Sequence, residues 1–248
     1  MKILVCISHV PDTTSKIVFK NDLTEFDASG VTFVMNPYDE FGLTKAMHIK
    51  ESLGGTITVA NVGLAVTEST LRKALAIGAD DAVRINAEPT DASYVAGLLA
   101  EYAGTQNFDL IITGRESIDY NGGAVPGMIA AHLNIPFVNA CIGFDLNAEQ
   151  ATMIREIDGG KETLQGKLPL LIAGQKGLVE EKDLRIPAMR GIMMARKKPL
   201  TVLEASDREK HTNVLDYQLP EEKGACTLID ADDVEQLVQL LHSEAKVI

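Results

Sequence analysis

Apolar residues along this chain come in two alternating patterns. Short continuous runs at Lys2–Ser8, Thr56–Val62, Asp81–Ile85 and Asp109–Thr113 predict strands buried on both faces, as in a parallel sheet. Between them, apolar positions recur at helical spacing. Leu43, Ala46, Met47 and Leu53 follow Asn36-Pro37, and Leu71, Ala74, Leu75 and Gly78 follow Gly63. Val95, Leu98, Leu99 and Tyr102 follow Asp91, and Met128–Leu133 follows Gly127. Asn36 suits an N-cap and Pro37 the first helical position; Asp39 and Glu40 complement the positive helix end, and Gly54-Gly55 stops the helix. Ile17–Phe19 and Val31–Met35 predict a peripheral hairpin around residues 22–30. The rhythm through residue 133 predicts an α/β fold: an open, mostly parallel sheet in three layers, with ligands beyond the carboxyl ends of its strands.

After Pro136 the pattern changes. Phe137–Phe144, Ala151–Ile157 and Thr163–Ala173 are strand-like, the last two joined by Asp158-Gly-Gly-Lys161, a hairpin signal. Leu168–Ala173 reads as one more buried strand. Glu180–Arg185 is charged, Ile186–Met194 clusters Met and Ile, and Arg196-Lys-Lys-Pro199 is basic. Such a cluster is either a folded-back loop or a recognition surface. From Leu200 the rhythm is lost until Asp232, after which Val234, Leu237, Val238 and Leu241 form an amphipathic helix. The chain therefore divides into an α/β domain over 1–199 and an extended C-terminal arm over 200–248. The arm has too few apolar residues for its own core and must lie on something else.

The net charge of −12 argues against nucleic acid or an anionic membrane as the main partner. No apolar run reaches the roughly 18 residues of a membrane span. Met1–Ile7 is too short and too β-branched for a signal peptide. Cys6, Cys141 and Cys226 are far apart and without metal-ligand spacing, which fits a reducing, cytoplasmic compartment.

Candidate chemistry concentrates at one loop. Asp109–Thr113 runs into Gly114-Arg-Glu-Ser-Ile-Asp-Tyr-Asn-Gly-Gly-Ala-Val-Pro-Gly127 and then a helix. Small residues before a helix N-terminus let a phosphate approach its amides; an ordinary strand-to-helix connection has the same outline. The first strand exit, Ser8–Thr13, lacks glycine and is neither a dinucleotide fingerprint nor a P-loop; Pro11 and Asp12 give it a fixed turn. His9 there is a base, a ligand or, more simply, a solvated loop histidine. No metal motif or nucleophile–base pair stands out.

Taken together, these stretches resemble the β subunit of electron transfer flavoproteins over nearly the whole chain. The carriers of the resemblance are Lys2–Ser8 with Val10-Pro-Asp12, Met35-Asn-Pro37, Ala74–Asp80 and Gly114–Asp119. Most specific is Arg155-Glu-Ile-Asp-Gly-Gly-Lys-Glu-Thr-Leu164 with Leu168–Ala173, with Met153 a departure at its leading position. The resemblance implies a Rossmann-like fold of the adenine nucleotide alpha hydrolase type. It also implies a heterodimeric electron carrier, not an enzyme. The α subunit would hold most of the FAD; this subunit would bind a structural AMP and lend one wall to the flavin site. Electrons would come from acyl-CoA dehydrogenases of fatty acid β-oxidation or related flavin dehydrogenases and pass to a quinone oxidoreductase or another acceptor. A branch of the family carries a second FAD in place of AMP and bifurcates electrons. A universal-stress-type nucleotide-binding module is a further alternative, disfavoured by the Arg155–Ala173 signature and the long arm.

Carried over residue by residue, the AMP site falls on Cys6, Asn36, Val62 and the glycine loop. Its members there are Gly114, Arg115, Ser117, Asp119, Asn121, Gly122, Gly123, Ala124, Val125 and Gly127. Thr13 and Tyr38 correspond to positions that approach the flavin. Ile186, Pro187, Met189, Arg190 and Ile192 correspond to a partner-recognition segment, with Met189 as its apolar anchor. The arm would wrap the α subunit. Ala124 stands where many members have Gln, so a side-chain contact to phosphate or ribose is missing or supplied elsewhere. The bifurcating branch's loop is not reproduced, so AMP is preferred to a second FAD.

Overall fold

A computed structural model describes residues 1–147, 150–221 and 224–248. From the N-terminus its elements are β1 (Lys2–Cys6), β2 (His9–Pro11), β3 (Phe19–Lys20), β4 (Glu25–Phe26), β5 (Phe33–Met35), α1 (Pro37–Leu53), β6 (Thr56–Val62), α2 (Glu68–Ile77), β7 (Asp81–Asn86) and α3 (Ala92–Gly104). The second half adds β8 (Leu110–Gly114), α4 (Val125–Leu133), β9 (Phe137–Asn147), β10 (Gln150–Ile157), β11 (Gly160–Lys167), β12 (Leu170–Gly174), α5 (Met189–Ala195), β13 (Leu200–Glu204) and α6 (Val234–Ser243). Nine strands form one sheet in the order β11-β10-β9-β12-β8-β1-β6-β7-β13. All pairs are parallel except β9–β10 and β10–β11.

Strand alternation splits the core into two layers. Ile3 and Val5 of β1 face α1 and α2, packing with Leu43, Ala46, Leu71 and Leu75; Leu4 and Cys6 face α3 and α4, packing with Leu98, Leu99, Ile129 and Ala130. Each fully buried Leu or Ile contributes about 2 kcal/mol, so the central strands need helices on both sides. This is the three-layer α/β arrangement that the continuous apolar runs predict. At Gly42 the first helix comes especially close: a Cβ there would lie 2.9 Å from Ile112 Cγ2.

The chain runs outward from β1 to β6 and β7, then returns to the other side of β1 with β8. Strand order therefore reverses between β1 and β8, and a crevice opens there at the carboxyl ends.

Several local expectations are corrected. Val31–Met35 does not pair with Ile17–Phe19: β5 pairs with β2, His9 opposite Met35, while Phe19 pairs with Phe26. The turn expected at Pro11 is extended strand instead, because Pro11 lies on a two-stranded edge and its missing N–H costs no ladder bond. The bend comes later, where the Asp12 carboxylate accepts from the Thr14 amide at 2.8 Å. Leu53, expected inward, is 54% exposed at the helix end. The segment after Leu200 opens with β13, in parallel register with β7 from Leu200–Ala82 to Glu204–Asn86. Five residues of the expected arm thus lie in the sheet.

Candidate functional site

The strand ends at the switch point bring together Cys6 of β1, Val62 of β6 and Gly114 of β8 with Asn36 at the start of α1. Asn36, expected to cap its own helix, makes no side-chain cap bond. Its Nδ2 donates to the Glu116 carbonyl at 2.9 Å, and its Oδ1 accepts from the Ile118 amide at 3.2 Å. A side chain that reads locally as a cap is spent on tethering the glycine loop to α1.

Asp39 is the site residue that sequence reasoning missed. It is 3% exposed. One carboxylate oxygen accepts from the Ser8 amide and the other from the Gly114 amide, each at 2.7 Å. It therefore bridges the ends of β1 and β8 across the switch point. Burial raises its pKa to about 7 against the opposing pull of the Ser8, Asn36 and Gly114 hydrogen bonds. In sequence it reads only as an acidic residue in a first helical turn, and nothing local distinguishes it from Glu40. Gly114 is required here, since a Cβ would collide with the Asp39 carboxylate and lie 2.8 Å from Tyr38 Cβ. Burial, then the Asp39 charge, pushes the Cys6 thiol up, away from thiolate chemistry.

The loop after Gly114 has two unlike halves. In the near half three amides are already used: Gly114 to Asp39, Arg115 to the Gly174 carbonyl at 2.8 Å, and Ile118 to Asn36. The Arg115 guanidinium donates to Gln175 Oε1 at 2.9 Å, pairs with Glu116 at 3.1 Å and lies 5.8 Å from the Tyr38 ring centroid. The Asp119 carboxylate accepts from the Tyr120 amide at 3.0 Å, and the Ser117 carbonyl from the Asn121 amide at 2.8 Å.

In the far half, Asn121 and Gly123 take left-handed φ values of 51° and 59°. No hydrogen bond among the described residues uses the Gly122, Gly123 or Ala124 amide. These lead into α4, so they lie at its positive N-terminal end. Thr113 shares the Ile111 side of β8, the layer that α4 covers, and its Oγ1 is buried with no partner among the described residues. An unpartnered hydroxyl on the strand that leads into the loop, together with unused amides at the loop's far end, suits an oxygen-rich anionic ligand. Gly127 instead serves packing, a Cβ there lying 3.4 Å from Phe137.

The remaining predicted residues are spread more widely. Tyr38 sits at the base of the β2–β5 ribbon, whereas Thr13 lies on the exposed turn at its far end. His9 is not solvated: its ring stacks on Phe33 at 4.6 Å, its Nδ1 pairs with Thr70 Oγ1 at 2.7 Å, and burial lowers its pKa. The arm crosses nearby. Asp91 of the α3 cap accepts from the Thr212 amide at 2.9 Å, and Tyr217 stacks on Phe19 at 4.4 Å. Among the described residues no cluster of His, Cys, Asp and Glu could hold a metal ion.

The Met/Ile cluster is the short helix α5, with Pro187 and Arg190 in the same segment. Ile186 and Met189 are each 83% exposed and Met193 is 73% exposed, with Ile192 less so. Its underside is anchored. Gly191 packs on the Ala76 carbonyl, and Arg72 of α2 donates to the Ala195 and Lys198 carbonyls at 2.7 and 2.8 Å. The apolar side chains thus stand on a fixed base.

The electron transfer flavoprotein domain model matches residues 24–208. The chain is 37% identical to the electron transfer flavoprotein subunit beta of Bacillus subtilis (strain 168), covering 100% of both chains. It is 32% identical to the Homo sapiens electron transfer flavoprotein subunit beta, over 84% of this chain and 82% of that one. An Oryza sativa subsp. japonica relative named as the mitochondrial subunit beta is 31% identical over 100% of both. Among the described residues no helix is long and apolar enough to cross a membrane.

Proposed function

The chain belongs to the electron transfer flavoprotein family, among its β subunits, and from that premise we propose that it carries electrons as half of a heterodimer. In this reading an α subunit holds most of the FAD, and AMP is bound structurally here. The observation that carries the AMP reading is the open far half of the glycine loop, where a Gly122 Cβ would meet nothing within 4 Å, on a strand whose last side chain, Thr113, has an unpartnered hydroxyl. A monophosphate would lie on the Gly122–Val125 amides, where the α4 dipole offsets its charge. Cys6 and Val62 would border the base, and Asn36 would hold the loop in place. Bound FAD would supply the redox chemistry. Tyr38 and Thr13 are this chain's contribution to its wall.

The direct test is to co-purify the protein with its α subunit, extract the nucleotides and count them. One FAD and one AMP per heterodimer are expected; two FAD and no AMP would establish the bifurcating type instead.

Met189, with Ile186, Pro187, Arg190 and Ile192, would dock a flavin dehydrogenase such as an acyl-CoA dehydrogenase. Reduced carrier would then pass electrons to a quinone oxidoreductase or another acceptor. Exposed methionines suit a weak, rapidly exchanging contact. Met189→Ala is expected to slow reduction by the dehydrogenase about tenfold, the loss of roughly 1.4 kcal/mol of contact, with FAD content unchanged; an unchanged rate would remove the role. We place the heterodimer in the cytoplasm, which cell fractionation checks.

A further inference from the structure

The exposed apolar segment at 186–194 is held from both ends. On the entering side, the Arg185 amide donates to Thr44 Oγ1 at 3.2 Å, and the Arg185 guanidinium pairs with Glu51 at 2.8 Å. Both partners belong to α1. On the leaving side, α2 and α5 cap one another. A guanidinium nitrogen of Arg72, from α2, donates to the Ala195 and Lys198 carbonyls at 2.7 and 2.8 Å. In return the Lys198 ammonium, just past α5, donates to the Leu75 and Ala79 carbonyls at 2.9 and 2.5 Å. Neither helix has a basic residue of its own in its last turn, so each receives its cation from the other. Cations at helix C-termini satisfy orphan carbonyls and oppose the helix dipole. Beneath this clasp Ala195 is buried in the core, and Gly191 rests on the Ala76 carbonyl, which any Cβ would overlap.

The short helix needs that support. It has seven residues and no side-chain cap at its start, and a helix of this length is marginal in water on its own. Its outward side chains, Met189 and Met193, stand exposed and gain no packing that would hold them. We infer that Arg72 and Lys198 are positioning residues for electron uptake: their reciprocal clasp presents α5 ordered in advance, with Met189 already set for a flavin dehydrogenase. This rests on the reading above that Met189 docks there. A surface ordered before contact loses less conformational freedom on binding, which suits a carrier whose contacts are brief.

The test is steady-state reduction of the purified heterodimer by an acyl-CoA dehydrogenase with its acyl-CoA substrate. Arg72→Met is expected to raise the KM for the carrier about fivefold. Its kcat, FAD content and chemical reduction by dithionite are expected to stay unchanged. Arg72→Lys, which keeps the charge without the planar fork, is expected to recover part of the loss. The deciding comparison is made in the Met189→Ala background. If Arg72 acts through α5, Arg72→Met adds less than about a twofold increase there. The full increase in both backgrounds would overturn the clasp's role. An unchanged KM in Arg72→Met would overturn it too, and leave the docking reading intact. A Met189→Ala protein reduced at the wild-type rate would overturn both.

Should Arg72→Met not assemble with its α subunit, Lys198→Met tests the clasp from its other side, with the same expected result. Hydrogen exchange also decides from the wild type alone. The Ile192 amide, bonded to the Ala188 carbonyl at 3.0 Å, is expected to exchange more than about tenfold slower than in an unstructured chain. Exchange at the unstructured rate would show that α5 is not ordered in advance and would overturn the inference.

Discussion

The two halves of the glycine loop use similar residues to opposite ends. Gly114 to Ile118 is tied inward, with the Gly114, Arg115 and Ile118 amides used by Asp39, Gly174 and Asn36. Asn121 to Ala124 faces outward, and a Cβ on Gly122 would meet nothing within 4 Å. A glycine-rich loop is thus not uniformly an anion cradle. The near half has already accepted an internal anion, the Asp39 carboxylate, whereas among the described residues the far half leaves three successive amides, Gly122 to Ala124, unused at the start of α4. The difference lies in what each amide faces, which residue type alone does not report.

The largest test of this contrast is Gly114→Ala. The added methyl would overlap both Asp39 and Tyr38 Cβ, neither of which can retreat without moving α1 or β1. A loss of about 3 kcal/mol or more is expected in denaturant unfolding; a near-neutral result would show that the near half yields. Asn36→Ala comes next. It strands the Glu116 carbonyl and the Ile118 amide, and a loss of about 2 kcal/mol is expected, with faster hydrogen exchange at Ile118. Unchanged exchange there would mean that the tether is not what holds the loop. Smallest in stability is Gly122→Ala, expected within about 0.5 kcal/mol of wild type because the far half is open. Its effect should appear in AMP content alone. A large stability loss without loss of AMP would reverse the assignment of the two halves.

Much of the framework was legible in advance. Continuous apolar runs marked β1, β6, β7 and β8, and Asn36-Pro37 marked the start of α1, because burial on both faces and end-capping leave local traces. The Asp158-Gly159 turn was legible too, with Ile157 opposite Gly160 and Gly159 at φ 82°. The pairing of β2 with β5 was not, since Pro11 has the local chemistry of a turn and only its edge position makes it strand. His9 was misjudged for the same reason: the residues that enclose it, Phe33 and Thr70, are distant in sequence. Asp39 was invisible because a helix-start carboxylate gives no sign of which amides it will meet.

The helices α2 and α6 show where that boundary runs. Each spans ten residues with apolar positions on one face. Leu71, Ala74 and Leu75 of α2 are fully buried against the sheet, whereas Val234, Leu237 and Val238 of α6 are exposed. By itself the sequence determined the periodicities, the strand and helix order, the loop's composition and the family. Only the tertiary structure decided which apolar face is covered, which amides remain free, and that one buried carboxylate stands at the reversal of strand order. The physical reason is range. Periodicity and capping act within a few residues, while burial and hydrogen-bond satisfaction depend on partners such as Ser8, Asp39 and Gly114, which only the fold brings together.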